Sequence, residues 1–353
     1  MFLDDEKAIR ANDPGGMLDE IDHLPDQIGA AWELGKRLPL SKYEKIEAVV
    51  ISGMGGSAIG ADLLSSWANP IARIPVLVCR DYTLPEWISG KQHLLVASSH
   101  SGNTEETLAA FREGIQRDCS IITITTGGTL AEEARKSGID LWQFKHSGQP
   151  RAAVGYSFTL LLALFSRMGL ISISDDEVKS LIAAMKAQQT ILKANVTLAK
   201  NPAKRLAGQM LGRFVTVFGA EHMAPIARRW KTQLNELAKD WSGFEILPEA
   251  DHNTAAGIQN PAELLTKLFG VFIEASSNHP RNILRSEITR TMMMQNGINV
   301  DRYIPTGDTP LKHIWTALHF GDYLAYYLAL LYQVDPTEVS ALDHLKKTLK
   351  SRK

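Results

Sequence analysis

Residues 93–116 read HLLVASSHSGNTEETLAAFREGIQ, an apolar run that passes through a hydroxyl-rich turn into a helix-like pattern. Residues 48–67, AVVISGMGGSAIGADLLSSW, repeat that order with a glycine-rich turn. Two further apolar runs, IPVLVC (74–79) and CSIITIT (119–125), also end in turn residues. Continuous apolar and β-branched runs between helices are typical of a parallel sheet covered on both faces. The sequence therefore predicts an α/β fold with mainly parallel sheets flanked by helices.

The strand and helix pattern starts again after Pro202. RFVTVFGA (213–220) and KLFGVFIEAS (267–276) are expected strands, and two long C-terminal helices follow. The two halves look like a degenerate repeat, which predicts a first domain over residues 1–172 and a second over 173–353. Ser174 before two acids marks a capped helix at the start of the second half. Only the first copy keeps glycine- and serine-rich turns, so a phosphate site is expected there.

Charge and composition limit the partners of this chain. Among 353 residues, 38 are Lys or Arg and 39 are Asp or Glu, so no net field favours nucleic acid or an anionic membrane. The polar N-terminus is unlike a signal peptide, and no apolar stretch reaches the roughly 20 residues of a membrane span. A cytoplasmic protein is expected, with Cys79 and Cys119 as free buried thiols.

The glycine-rich turn and the hydroxyl-rich turn both lie where a predicted strand ends and a predicted helix begins. Backbone N–H groups lack helical partners there, and the helix dipole favours an anion. Glycines allow the backbone to approach a ligand closely, and hydroxyl groups add neutral hydrogen-bond donors. Such donors suit a phosphate that stays on its substrate throughout the reaction, and not one that is transferred. The P-loop pattern G-x-x-x-x-G-K-[ST] is absent. The predicted phosphate-binding residues are Gly55, Gly56, Ser57, Ser99, Ser101 and Thr104.

Each turn also has another interpretation. Asn103 or Thr104 could simply cap the following helix with a side-chain hydrogen bond. The first turn loosely fits the dinucleotide pattern G-x-G-x-x-G/A, and the acid expected after the next strand is only approximated by Arg80 and Asp81. A dinucleotide enzyme would not need the second, hydroxyl-rich turn.

Five motifs occur in a fixed order along the chain. They are GMGGSAIG (53–60), SSHSGNTEET (98–107), QPRAAVGYS (149–157), RRWKTQLNELAKD (228–240) and DHN (251–253). With these motifs the chain, from about residue 20 to its C-terminus, resembles the tandem sugar-isomerase-domain (SIS) proteins of the bifunctional phosphoglucose/phosphomannose isomerase type. The SGNTEET motif alone marks only an SIS domain, and the later motifs narrow the resemblance to this type.

The resemblance implies an aldose–ketose isomerase that interconverts glucose 6-phosphate, and mannose 6-phosphate as well, with fructose 6-phosphate. One proton moves between C1 and C2 through an enediol(ate), a route that requires no metal and no cofactor. Glu236 matches the family's base. Its spacing alone favours a solvated helical Glu paired with Lys239, and it is the resemblance that assigns Glu236 the role of base.

Three more residues receive roles from the resemblance. His252 would help to open the sugar ring from the neighbouring subunit, which implies a homodimer; without the resemblance it is a solvated loop histidine. Thr254 stands where many relatives have Glu. Arg151 would stabilise the enediolate, and its plain alternative is a surface Arg near a helix start. Lys346 matches the family's ring-opening lysine, with Lys347 as the alternate, although both fit a solvent-exposed helix face.

Other classes of function are weighed against this one. His313 and His319 are six residues apart and lack the spacing of a metal site. A sugar-phosphate sensor without catalysis would bind but not turn over its ligand. An aminosugar-phosphate isomerase would need an ammonia source, and neither an N-terminal nucleophilic Cys nor a glutaminase-like segment is present in this sequence.

Overall fold

The chain folds into two compact units. A computed structural model describes residues 2–43 and 45–352, and its contacts divide the chain into His23–Lys186 on one side and Met1–Asp22 with Ala187–Lys353 on the other. Each unit is an α/β unit built on a parallel sheet. The predicted domains, 1–172 and 173–353, differ from these units and stay a prediction.

Side-chain contacts explain where the units differ from the predicted domains. Asp175, at the start of a helix that the sequence assigns to the second domain, accepts hydrogen bonds from Trp32 Nε1 at 2.7 Å and Lys36 Nζ at 3.0 Å. The N-terminal segment joins the other unit because Lys204 Nζ, which is fully buried, donates to the carbonyl of Leu3. Asp22 closes this segment by accepting a hydrogen bond from the Tyr323 hydroxyl.

The sheet of the His23–Lys186 unit has five parallel strands in the order β2-β1-β3-β4-β5. The central strands are apolar and buried, which confirms the predicted parallel sheet covered on both faces. Strand β5 was not predicted, because only one of its four residues is buried. The strands are β1 (Ala48–Ser52), β2 (Val76–Cys79), β3 (His93–Ser99), β4 (Ser120–Thr125) and β5 (Asp140–Gln143).

The sheet of the other unit has four parallel strands in the order β7-β6-β8-β9. The two central strands are the predicted ones. The two edge strands were missed because their side chains are mostly half-buried, so they carry no continuous apolar run. The strands are β6 (Phe214–Ala220), β7 (Gly243–Leu247), β8 (Leu268–Ile273) and β9 (Asn299–Tyr303).

Helices cover both sheets. None of the helices within the described residues combines the length and the apolar character needed to cross a bilayer. In chain order they are α1 (Glu6–Ala11), α2 (Met17–Asp22), α3 (Leu24–Gly35), α4 (Gly55–Ala68), α5 (Glu105–Gln116), α6 (Gly128–Lys136), α7 (Val154–Arg167), α8 (Asp175–Gln189), α9 (Pro202–Met210), α10 (Ala224–Leu237), α11 (Pro280–Gln295), α12 (Pro310–Leu331) and α13 (Ser340–Ser351).

Two helix starts test the sequence interpretation. The capping box of α8 is confirmed, since Ser174 N donates to Glu177 Oε2 at 2.8 Å and Glu177 N donates to Ser174 Oγ at 3.2 Å. The second of the two predicted C-terminal helices begins at Ser340. The Asp335 carboxylate accepts from the backbone N–H of Thr337 at 2.7 Å and so holds a turn ahead of the helix.

The two cysteines are free thiols, as predicted, but the expected burial is confirmed only for Cys119 and is wrong for Cys79. Cys79 ends β2 and is half-buried, whereas Cys119 is buried just before β4. Burial raises the pKa of the Cys119 thiol.

Candidate functional site

The glycine-rich turn joins β1 to α4. Gly55 begins the helix with φ +51°, a left-handed conformation that glycine adopts without strain. Gly56 packs against the backbone of the 150–152 segment so closely that a Cβ there would lie 2.4 Å from the Pro150 carbonyl oxygen. Met54, the N-cap residue, provides no side-chain acceptor. The turn therefore presents main chain and the buried Ser57 side chain at the carboxyl edge of the sheet.

The hydroxyl-rich turn joins β3 to α5. Ser99 Oγ lies 2.9 Å from Thr104 Oγ1 and accepts a hydrogen bond from Gly102 N at 3.1 Å. Ser101, which is exposed, accepts from Asn103 N at 3.2 Å. The alternative in which Asn103 or Thr104 caps the helix is wrong, because the N-cap Thr104 makes no side-chain capping bond to α5.

The two turns lie side by side because β1 and β3 are paired, with Ser52 opposite Ala97 at the end of the register. They are also bonded to each other, since the backbone N–H of His100 donates to Ser57 Oγ at 3.3 Å. The structure thus brings together the predicted residues Ser57, Ser99 and Thr104. Parallel strands with adjacent strand–helix turns are a common place for anion binding.

Arg151 belongs to a short 3₁₀ turn, Pro150–Ala152, just before α7. Its side chain is only 4% exposed, so the alternative of an ordinary surface arginine is wrong. Arg151 Nη1 donates to Gln149 Oε1 at 3.4 Å. Because Pro150 touches Gly56, the chain that carries Arg151 is fixed directly against the glycine-rich turn.

The other unit carries the remaining candidates. Glu236 lies near the end of α10, half-buried, in a cavity of about 330 Å³ that is also lined by Lys231, Asn235 and the first turn of α13. Helix α10 is held rigidly on α12. Arg229 and Asp322 form a buried ion pair, with Nη2 and Oδ2 2.9 Å apart. This arrangement fixes the helix from which the Glu236 side chain extends.

His252 is exposed at the end of a 3₁₀ turn that follows β7. The preceding residue anchors this turn to α11: the Asp251 carboxylate accepts from Arg285 Nη1 at 3.0 Å and from Thr289 Oγ1 at 2.6 Å. The Thr254 hydroxyl, Oγ1, donates to Asn253 Oδ1 at 3.0 Å. The residue that departs from the family's pattern therefore supports the local turn.

The C-terminal lysines are not distinguished by the structure. Lys346 and Lys347 are both exposed on α13, one to two turns beyond the part of that helix that lines the Glu236 cavity. The choice between them stays a prediction.

The matching turn of the second sheet has a different chemistry. Glu221, with φ +54°, follows β6, and its carboxylate accepts hydrogen bonds from His279 N at 2.8 Å and Asn282 Nδ2 at 2.7 Å. The N-terminus of α11 is therefore already bonded to a carboxylate of the protein itself. The location of the phosphate site in the first copy stays a prediction.

Sequence reasoning missed two groups of side chains near these turns. In the second copy, Ser277 Oγ lies 2.9 Å from His222 Nε2 and 2.7 Å from His313 Nδ1. Burial lowers the pKa of His222 to about 4. In the first copy, His100 and His146 are hydrogen-bonded to each other. Only His100 had a signal in the sequence, its place between Ser99 and Ser101.

Potential metal ligands do not cluster: within residues 2–43 and 45–352, no group of three or more His, Cys, Asp or Glu side chains could hold an ion.

A family model described as the bacterial phospho-glucose isomerase C-terminal SIS domain matches residues 199–349. The chain is 38% identical over 335 residues to a bifunctional phosphoglucose/phosphomannose isomerase of Caldicellulosiruptor bescii, covering 94% of this chain and 98% of the relative. A protein of the same name from Aquifex aeolicus is 32% identical over 305 residues, covering 86% and 91%.

A solved structure shares the fold. A hypothetical protein from Thermus thermophilus superposes with a TM-score of 0.75 and 16% identity, covering 98% of this chain and 93% of that one. At this identity the likeness concerns the fold alone.

Proposed function

The chain belongs to the bifunctional phosphoglucose/phosphomannose isomerase family, and we propose that it interconverts glucose 6-phosphate and mannose 6-phosphate with fructose 6-phosphate. The observation that carries the proposal is the bonded pair of turns at the carboxyl edge of the first sheet, where Ser57 and Ser99 lie together. Neutral hydroxyl and N–H donors at two helix starts suit a phosphate group that is held throughout the reaction.

The phosphate is proposed to bind at Gly55, Gly56, Ser57, Ser99, Ser101 and Thr104. Its binding energy orders the sugar before any bond changes, because a held substrate loses less freedom on the way to the transition state. Arg151, buried beside the glycine-rich turn, would stabilise negative charge on the sugar oxygens.

Glu236 is the proposed base. Its carboxylate removes the proton from C2 of the open-chain aldose and O1 gains a proton, which gives the cis-enediol(ate); the proton then returns to C1 while O2 loses its own proton, which gives the ketose. Both C2 epimers lead to the same intermediate, which explains how one base could serve glucose 6-phosphate and mannose 6-phosphate. The route needs no metal and no redox cofactor.

Ring opening precedes this step. His252 is proposed to move a proton between the ring oxygen and O1, a general acid–base step that an imidazole can perform. Lys346, or Lys347 in its place, would assist at the same stage. We also propose that His252 serves the active site of the neighbouring subunit of a homodimer, and that the protein acts in the cytoplasm.

A direct product assay tests the proposed function. The purified protein, treated with EDTA, is incubated with fructose 6-phosphate, and glucose 6-phosphate and mannose 6-phosphate are measured separately. Formation of both products is the expected result. Binding of fructose 6-phosphate without any product would overturn the proposal and favour the sensor alternative.

A further inference from the structure

We propose that Ser277 is an activated nucleophile: it takes an acyl group from small activated esters and passes it to water, with His313 as its base and His222 as a hydrogen-bond donor to its oxygen. This hydrolytic activity lies beyond the proposed isomerase function and does not rest on it. The three residues belong to the Ala187–Lys353 part of the chain, and the proposed isomerase mechanism uses none of them.

The Ser277 hydroxyl lies between two imidazole rings. Its Oγ is 2.7 Å from His313 Nδ1 and 2.9 Å from His222 Nε2. The two rings are nearly parallel, at 20°, with centroids 6.4 Å apart. Both histidines are buried, whereas Ser277 is exposed. The residue that would attack a substrate therefore lies at the surface, and the two rings that act on it lie beneath it.

The hydrogen bonds of His313 determine which of its nitrogens can accept a proton. Nε2 lies 3.0 Å from the Gly307 carbonyl oxygen, which can only accept, so Nε2 carries the hydrogen of the neutral ring. The same nitrogen has a longer contact, 3.3 Å, with Ser276 Oγ. Nδ1 is then without a hydrogen and accepts the Ser277 hydroxyl. A histidine held in this tautomer by its other nitrogen is what a nucleophilic serine requires.

His222 provides a donor to the same oxygen. Burial lowers the pKa of His222 to about 4, so its ring is neutral at pH 7 and carries a single hydrogen. Because the one hydrogen of the Ser277 hydroxyl is directed to His313, the second bond must be donated by His222 Nε2. A donor aimed at Oγ stabilises the negative charge that develops there as the proton leaves.

The turn that carries Ser277 is held in place at both of its ends. It follows β8 at the carboxyl edge of the second sheet and leads into α11, and a strand-to-helix turn of this kind can expose a nucleophilic serine. Asn278 Oδ1 accepts from Ala275 N at 2.9 Å, and Asn278 Nδ2 donates at 3.2 Å to the carbonyl of Ala220, which ends β6. These bonds keep Oγ within reach of both rings, so little reorganisation is needed before attack.

Two steps complete the proposed reaction. In the first, Ser277 Oγ bonds to the carbonyl carbon of the ester while its proton passes to His313 Nδ1, and the alcohol leaves with that proton. In the second, water bonds to the acyl carbon and gives a proton to His313 Nδ1, and the carboxylic acid is released as Ser277 Oγ takes that proton back. The substrate class is an ester with a good leaving group, because both histidines act on the attacking oxygen.

Covalent labelling tests the nucleophile. The full-length protein is treated with a fluorophosphonate, which forms a bond between a serine oxygen and phosphorus and releases fluoride, and the labelled peptide is identified by mass spectrometry. We expect one label per chain, on Ser277. Ser276 is a comparison within the same peptide, since it is also exposed but contacts only the nitrogen of His313 that carries the hydrogen. It should remain unlabelled.

Hydrolysis of 4-nitrophenyl acetate tests the turnover. Other side chains also react slowly with this ester, so the measured quantity is the excess rate over Ser277→Ala. His313→Asn should lower both this excess and the labelling rate by at least about a hundredfold, because an amide can accept the hydroxyl hydrogen bond but cannot take the proton. Ser137→Ala, which changes an exposed serine just after α6, is the control and should keep both wild-type rates. Thermal unfolding shows which variants are folded, and Ser277→Ala, which removes a single atom, decides the matter if His313→Asn is not.

Three results would overturn the inference. No label, or equal labels on Ser276 and Ser277, would mean that the histidines do not activate Ser277. Hydrolysis by the wild type that does not exceed that of Ser277→Ala would refute the turnover. A folded His313→Asn protein that is labelled at the wild-type rate would remove His313 as the base. Isomerisation of fructose 6-phosphate is measured separately, so failure here leaves the proposed function standing.

Discussion

The hydroxyls of Ser99 and Thr104 lie 2.9 Å apart across the turn between β3 and α5, and Ser99 also accepts the N–H of Gly102. Thr104 occupies the N-cap position but directs its hydroxyl to Ser99 instead of to the helix. The Thr104 hydroxyl is therefore bonded within the turn and does not cap the start of α5. Backbone N–H groups at a helix start can bind a small anion.

Ser99→Ala should raise the KM for fructose 6-phosphate about tenfold, because a hydrogen bond to a charged group is lost. Ser120→Ala is a matched control. Ser120 is the first residue of β4, so it lies at the amino-terminal end of the parallel strands, away from the two turns, and its hydroxyl donates to the Lys91 carbonyl at 2.7 Å. Its KM should equal that of the wild type. Equal KM values for Ser99→Ala and wild type would remove Ser99 from the phosphate site.

Gly56→Ala should lower kcat/KM by about a hundredfold, because the new Cβ would push away the Pro150 carbonyl, 2.4 Å distant, and shift Arg151 with it. Gly208→Ala is the control, since nothing lies within 4 Å of its Cβ position in α9. That variant should be stabilised by about 0.5–1 kcal/mol with unchanged kinetics. Steady-state kinetics and thermal unfolding of both variants check the prediction, which fails if Gly56→Ala keeps wild-type kcat/KM.

His222 should make the protein less stable in acid. Burial lowers its pKa from 6.5 to about 4, so folding favours the neutral ring. The stabilisation is complete above pH 6.5 and is lost as the pH falls towards 4. Between pH 7 and pH 5 the wild type should lose on the order of 2 kcal/mol more unfolding free energy than His222→Gln. Urea unfolding at both pH values measures this, and equal losses would contradict it.

Mixed dimers test whether His252 acts across subunits. Coexpressing Glu236→Gln and His252→Asn chains gives heterodimers in which one of two sites has both an intact base and an intact histidine, if His252 comes from the partner. Such a mixture should recover about a quarter of wild-type activity, since half of the dimers are mixed. If His252 serves its own subunit, the mixture stays as inactive as either variant alone.

The sequence alone predicted the parts of the fold that have strong local patterns. The inner strands of both sheets are buried apolar runs, namely β1, β3, β4, β6 and β8. The turn at Gly55 and Gly56 could be recognised because its glycines are visible in the sequence. Ser174 caps α8 as predicted, through reciprocal hydrogen bonds with Glu177. In each case the deciding interaction lies within a few residues along the chain.

The missed features depend on contacts between distant residues. Edge strands β5, β7 and β9 are half-exposed, so packing on a neighbouring strand defines them rather than their own composition. The bond between His100 and His146 joins residues 46 apart. Glu221 reaches the start of α11, which is 58 residues further along the chain. Neither the edge strands nor these two long-range contacts produce a periodic pattern that could be recognised in a single sequence.

The turnover of Glu236→Gln with fructose 6-phosphate tests the proposed chemistry most directly. Removing the base should lower kcat by at least about a hundredfold while glucitol 6-phosphate, an open-chain compound that cannot be isomerised, still binds, because the phosphate site is untouched. Glu287→Gln, an exposed carboxylate on α11, is the control and should keep wild-type kcat. A Glu236→Gln protein that isomerises fructose 6-phosphate within a few-fold of the wild-type rate would show that another group moves the proton.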